Sequence, residues 1–337
     1  MPDTIPLLAD VEIGVVPTHV KFVGGLVPDD DGKLPRESDG ALVVVAEMAR
    51  LTEACPVKLH NAQIPFFPGM DAADTAEAVE GLRALGLDVH LIMMVGGADP
   101  MKPEDEEAVA GMLVAGLEAA KLHSVKHVSS TSFEEWLSGG GPKTGADFDA
   151  AVAQLAKVHV RAYNEAGVEG SCIQNWHLEF LRTVEFQTFT NAGVAWEVVK
   201  ACNASLGKTF WQLMVDAAHC GDSGLSIPEN EKLIEEMAAT GEFGIFHASA
   251  KTTRGCLSTD DGWIGSLMAA AAKTGELKTV FIELFHHEDP ALEGLRDLDP
   301  GHGIDTTNGR TYTETTIDGV VELTRRLNNL KARGMLS

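Results

Sequence analysis

Eight short apolar runs, separated by longer stretches with helical spacing, constrain the fold of this chain more than any other feature. The runs are Glu12–Val16, Val57–His60, Asp88–Met94, Val125–Ser129, Gly170–Leu178, Phe210–Val215, Phe243–Ala248 and Thr279–Leu284. Amphipathic patterns predict helices over Thr75–Leu85, Glu104–Leu122, Phe148–Ala166, Val194–Ser205, Ile227–Thr240, Trp263–Thr274 and Thr315–Leu330. A strand that rejoins its sheet through a single helix pairs in parallel, by a right-handed crossover. Eight such units in 337 residues predict one α/β domain over residues 1–337, a closed (β/α)8 TIM barrel rather than an open doubly wound sheet. No Gly-x-Gly-x-x-Gly follows the first run, so the motif of a dinucleotide-binding half is missing.

Three polar stretches are too long for simple connections: residues 21–40, 131–145 and 286–310. They contain DDDG, GGGPKTG and DPGHG, and we expect them near the barrel mouth as binding loops. The chain carries 50 Asp and Glu against 26 Lys and Arg, a formal net charge of −24. Such a surface repels phosphate backbones and anionic lipid, so neither a nucleic acid nor a membrane is the expected partner. The five cysteines are widely spaced with no Cys-x-x-Cys, as in a reducing compartment. The opening MPDTIPLLADVEIG lacks the basic start and apolar block of a signal peptide, and the expected location is cytoplasmic.

Ionisable residues collect at the ends of the last four runs. The fifth ends in WHLEF, with His177 and Glu179, and the sixth in MVDAAH, with Asp216 and His219. The seventh ends in GIFHAS, with His247, and the eighth in FIELF, with Glu283. Barrel enzymes build their sites from the C-terminal ends of their strands. A carboxylate following an apolar strand is costly unless it is paired or bound to a metal. Glu179, Asp216, His247 and Glu283 together form a hard, oxygen-rich set for one divalent ion, suited first to Mn2+, with Mg2+, Co2+ and Zn2+ as alternatives. His177 lies two residues before Glu179, so both are expected to face the barrel interior, where an imidazole could act as general acid or base or hold a ligand by hydrogen bond.

The C-terminal half resembles the xylose-isomerase-like barrel superfamily, especially its ketose 3-epimerases and sugar isomerases. LEFLRTVEFQTFTN, DAAH, FHASAKTTRG and FIELF stand in the order of that family's motifs, with the four ligand candidates 37, 31 and 36 residues apart. The match runs over about Ile173–Phe285, and Phe180 stands where the epimerases favour Pro. The resemblance implies that Glu179, Asp216, His247 and Glu283 ligate the ion. It also implies that His219 contacts a substrate oxygen, and that Lys251 and Arg254 bind substrate hydroxyls or an anionic group.

An ion chelated by a carbonyl and a neighbouring hydroxyl acidifies the carbon between them. Returning the proton to the other face is epimerisation, and returning it to the adjacent carbon is isomerisation. Expelling a β-substituent is elimination. The expected function is therefore a metal-dependent sugar isomerase or epimerase, with His177, Glu179 and Glu283 as the catalytic candidates. The partner is a sugar or sugar conjugate, in a homo-oligomer. The His-x-Glu strand end is also similar to the catalytic subunits of C-glycoside deglycosidases, lyases that act on 3-keto C-glycosides with a small β-rich second subunit. Endonuclease-IV-like repair enzymes share the barrel but bind three zinc ions through an Asp-x-His pair, where this chain reads STDDGWIG. A non-catalytic sugar-binding barrel is the remaining alternative.

Overall fold

The structure is a computed structural model, and it describes residues 4–17, 26–250, 260–284, 293–298 and 311–337. Eight strands close into a barrel in sequence order: β1 Glu12–Val16, β2 Asn61–Phe66, β3 Asp88–Met93, β4 His127–Ser130, β5 Asn175–Glu179, β6 Trp211–Asp216, β7 Phe243–Ala248 and β8 Thr279–Glu283. Every neighbouring pair is parallel, and β1 closes on β8 with Val16 opposite Glu283. The expected fold class is borne out.

Helices alternate with the strands: α1 Val43–Ala54, α2 Ala72–Ala84, α3 Glu106–Leu122, α4 Ala146–Glu165, α5 Ala192–Leu206, α6 Ala217–Asp222, α7 Ile227–Ala239, α8 Trp263–Thr274, α9 Glu293–Leu298 and α10 Tyr312–Ala332. The main core lies between strands and helices, and fully buried Trp176, Trp211, Phe180 and Phe189 anchor its β5–β6 side. No described helix is long and apolar enough to cross a membrane.

Two assignments change. Val57–His60 leads into the second strand, which is Asn61–Phe66. Asn61, Gln63 and Pro65 give that segment the look of a turn. Inside the barrel, however, Asn61 donates to Glu12 Oε2 at 2.9 Å and Gln63 Nε2 to Ser129 Oγ at 3.0 Å, so the amide N–H groups of both side chains find acceptors there. Helix α1 lies outside the predicted helices, and its first residues, Val43, Val44 and Val45, are β-branched types that favour strands. Its buried Val44, Met48 and Leu51 repeat at helical spacing and override that propensity.

A small apolar cluster of Val16, Ile92, Met214, Ile245 and Phe281 stands apart from the main core, inside the barrel. The Phe281 ring makes edge contacts with both His90, at 5.1 Å between centroids, and His247, at 5.7 Å. Gly14 makes room for it, since a Cβ there would lie 2.4 Å from Phe281 Cε1. This layer divides the interior into an upper end, at the strand C-termini, and a lower end.

Candidate metal centre

Glu179, Asp216 and Glu283 are the last residues of β5, β6 and β8, and His247 is the last but one of β7. Each offers one ligand atom, and the four atoms lie within 4.8 Å of one another. Among the described residues this is the only such group. His247 Nδ1 is 3.2 Å from Glu283 Oε2, 3.7 Å from Glu179 Oε1 and 4.0 Å from Asp216 Oδ2. All four residues are at least 95% buried.

Three carboxylates gathered so tightly away from water repel one another, and a divalent cation at their centre removes that cost. Ligand distances of ~2.0–2.2 Å for Mn2+, Mg2+ or Zn2+ need only a slight contraction of this cluster. The donor set therefore fits a divalent ion, and three oxygens with one imidazole favour a hard one.

Asp216 has two tasks. Its Oδ1 accepts from the His219 N–H at 2.9 Å, capping α6, while Oδ2 faces His247. The Asp-x-x-His spacing is thus one capped helical turn, and it carries His219 Nδ1 to 3.5 Å from Glu179 Oε1. Phe180, buried behind Glu179, meets the His219 ring edge-on at 6.0 Å. A proline there would lose that ring contact.

The sequence-predicted residues separate into three groups. The structure brings together Glu179, Asp216, His247, Glu283 and His219. His177 faces the barrel interior, but it lines the lower cavity with His90 and His127, its ring 6.3 Å from that of His127. Burial pushes its pKa down to about 3, which keeps it neutral and makes it a weak base near neutral pH. Lys251 and Arg254 lie outside the described residues, as do most of residues 286–310.

Several residues that sequence reasoning missed organise the connections after β4 and β5. Buried Glu134 accepts three backbone N–H groups, from Gln187 at 3.1 Å, Thr188 at 2.7 Å and Phe189 at 2.6 Å. Trp136 Nε1 donates to Glu185 Oε1 at 3.2 Å, and Arg182 pairs with Asp222 at the end of α6. These bonds join the β4, β5 and β6 connections beside Glu179 and Asp216. Glu134 sits in SFEEWL beside a second glutamate, and nothing in the one-dimensional pattern tells the buried acid from the solvated one.

No protein-family model and no curated protein matches this chain. Solved structures do. An L-ribulose 3-epimerase aligns with a TM-score of 0.71 at 16% identity, over 96% of this chain and 97% of that one. A putative sugar phosphate isomerase/epimerase from Anabaena variabilis gives 0.72 at 17% identity, over 95% and 98%. A D-psicose 3-epimerase from Clostridium cellulolyticum H10, solved with D-tagatose, gives 0.68 at 13% identity, over 94% and 99%. Nearly end to end, the chain has the same barrel fold as these sugar epimerases and isomerases.

Proposed function

We propose that this chain is a divalent-metal-dependent sugar isomerase or epimerase that removes a proton beside the carbonyl of a sugar or keto sugar. The observation that carries the reading is the convergence of three buried carboxylates and one imidazole at the C-terminal end of the barrel. Glu179, Asp216, His247 and Glu283 would hold the ion, with Mn2+ the first choice. Bound there, it would supply positive charge next to the substrate carbonyl and the neighbouring hydroxyl, acidifying the carbon between them.

The protein's own groups do the rest. Glu179 and Glu283 come from β5 and β8, which are not neighbours in the barrel, so they approach a substrate from different sides. One carboxylate takes the proton and the other returns one to the opposite face, which gives epimerisation; delivery to the adjacent carbon gives isomerisation. His219, held by the Asp216 cap, orients a substrate oxygen beside Glu179. Lys251 and Arg254, which follow β7, remain candidates for binding substrate hydroxyls. The buried layer around the ligands keeps bulk water from the reacting carbon. A neutral sugar suits the acidic surface, and assembly into a homo-oligomer belongs to the same reading.

Elimination from a 3-keto glycoside is weaker here, because His177, the group that suggested it, faces the lower cavity. A trinuclear zinc nuclease is weaker too, since the described residues provide a single cluster with one histidine in it. The test is to incubate the Mn2+-loaded protein with a panel of ketohexoses, ketopentoses and 3-keto glycosides. Formation of C3 epimers or aldose–ketose pairs supports the reading. Release of an aglycone without isomerised sugar refutes it.

A further inference from the structure

The lower end of the barrel holds a cavity of about 610 Å³ that the proposed reaction does not use. Its polar lining includes His90, His127, His177, Asn175, Gln212 and Thr279. Residues such as Asn175, Phe243 and Thr279 are the first of their strands, so the cavity lies at the face opposite the metal ligands. Barrel interiors are ordinarily filled by branched aliphatic side chains. Here polar groups take those places and leave a space within the ~300–1,000 Å³ range of small-molecule sites.

We infer that this lower cavity is a second binding site, for a small neutral polyhydroxylated molecule of monosaccharide size. Charge distribution argues for a neutral ligand. The carboxylates and the ammonium group, those of Asp10, Glu12, Glu276 and Lys278, line the cavity at or just before the first residues of β1 and β8. Further along the strands the lining is His90, His177, Gln212, Gly244 and Ile245, with no carboxylate or ammonium group among them, and burial keeps His90 neutral. An ion placed among them would lose hydration with no counter-charge. A metal ion is disfavoured by geometry as well. His90 and His127 are stacked at 4.6 Å, with only 27° between their planes, and these imidazoles do not converge as the four upper ligands do.

The hydrogen bonds left open suit hydroxyl groups. His127 Nδ1 is engaged with Asn175 Oδ1 at 2.8 Å, which leaves Nε2 as an acceptor when Nδ1 carries the proton. Nδ1 of His90 and Nδ1 of His177 have no hydrogen-bond partner and are sealed from solvent, while the His177 ring also bonds the Gln212 side chain and the Val128 backbone. Buried polar atoms without partners are rare and costly. A half-turn about the Cβ–Cγ bond exchanges Nδ1 with Cδ2. For His177, Cδ2 faces Gly244, where a side chain would come within 2.4 Å of it, and Gly244 itself lines the cavity. The turn would present that nitrogen to a ligand hydroxyl. Phe243 and Ile245 add the apolar surface that the carbon face of a sugar ring needs.

Imidazole NMR of histidine-labelled full-length protein tests the inference. D-fructose, D-glucose, D-sorbitol and myo-inositol would each be titrated to ~100 mM, a range that captures affinities of a few kcal/mol. Asp216→Asn protein would be titrated alongside, so that binding at the metal centre does not interfere. The inference predicts saturable shifts of the His90, His127 and His177 signals with at least one probe, retained in Asp216→Asn. It also predicts at least tenfold weaker binding in His90→Phe, or in Thr279→Val should His90→Phe not fold. Saturable shifts with equimolar Zn2+ but with none of the four probes would overturn it in favour of a metal site. No saturable shift in the wild-type protein with any probe would overturn it outright, leaving a cavity filled by water.

Discussion

His247 Nδ1 lies 3.2 Å from Glu283 Oε2, and that nitrogen also has the carboxylates of Glu179 and Asp216 within 4.0 Å. One ring nitrogen facing three buried acids is what a bound cation would organise. The protein is therefore expected to bind close to one divalent ion per chain. Elemental analysis of Asp216→Asn and Glu179→Gln should show metal content reduced at least tenfold, with circular dichroism unchanged. Three ions per chain, or full occupancy in both variants, would contradict the assignment.

His177 gives a sharper contrast. Its ring is neutral and lines the lower cavity with His90 and His127. We predict that His177→Asn keeps its metal and its pH–rate profile, with turnover within about threefold of wild type. A loss of ~10²-fold, the usual scale for a positioned acid or base, together with a shifted profile would return it to the reaction.

Much of this was legible in the sequence, for physical reasons that differ by residue. The four candidate ligands were visible because each ends an apolar run, and a charge in that position is costly without a partner. The barrel was visible because strand and helix periods alternate. β2 was hidden because its inward face is polar: Asn61 bonds to Glu12 on the neighbouring β1 and Gln63 to Ser129 on β4, contacts no local pattern contains. The direction of His177 into the barrel was readable from strand alternation. Its end of the barrel was not, because the cavity it lines is completed by His90 and His127, which arrive from β3 and β4. Glu134 was invisible for a similar reason, since its three N–H partners lie more than fifty residues downstream.

Glu134 should matter for the shape of the mouth. Glu134→Ala leaves three N–H groups near Thr188 without their acceptor, each worth ~1–3 kcal/mol where water cannot replace it. We expect a lower melting temperature and a raised KM, with metal content per folded chain preserved. An unchanged melting temperature would mean that water reaches those amides.

Acid should destabilise the fold through its buried histidines. Trp176 Nε1 donates to Ser130 Oγ, Ser130 bonds to Ser132, and Ser132 to His159 Nε2, while His159 Nδ1 donates to Leu155 O at 2.7 Å. Because Nδ1 carries the proton, Nε2 accepts from Ser132. Burial pushes the pKa of His159 down to about 4, below its ordinary 6.5. Between these values the unfolded chain takes up a proton that the folded one refuses, so stability is full above pH ~6.5 and falls as pH drops toward ~4, by about 3 kcal/mol for this ring. Denaturant midpoints measured across that range should decline less steeply in His159→Gln. An identical decline would place the acid sensitivity elsewhere.

The central claim is that Glu179 and Glu283 move a proton on a carbon beside a carbonyl. Solvent exchange reads that step directly: the Mn2+-loaded protein is incubated in D2O with each ketose of the panel, and deuterium in the recovered sugar is located by NMR. The account predicts deuterium at a single carbon adjacent to the carbonyl. Incorporation should drop by at least ~10²-fold in both Glu179→Gln and Glu283→Gln, and should stay near wild type in His177→Asn. Deuterium entering at the wild-type rate in both glutamate variants, or in none of the sugars despite a bound ion, would contradict it.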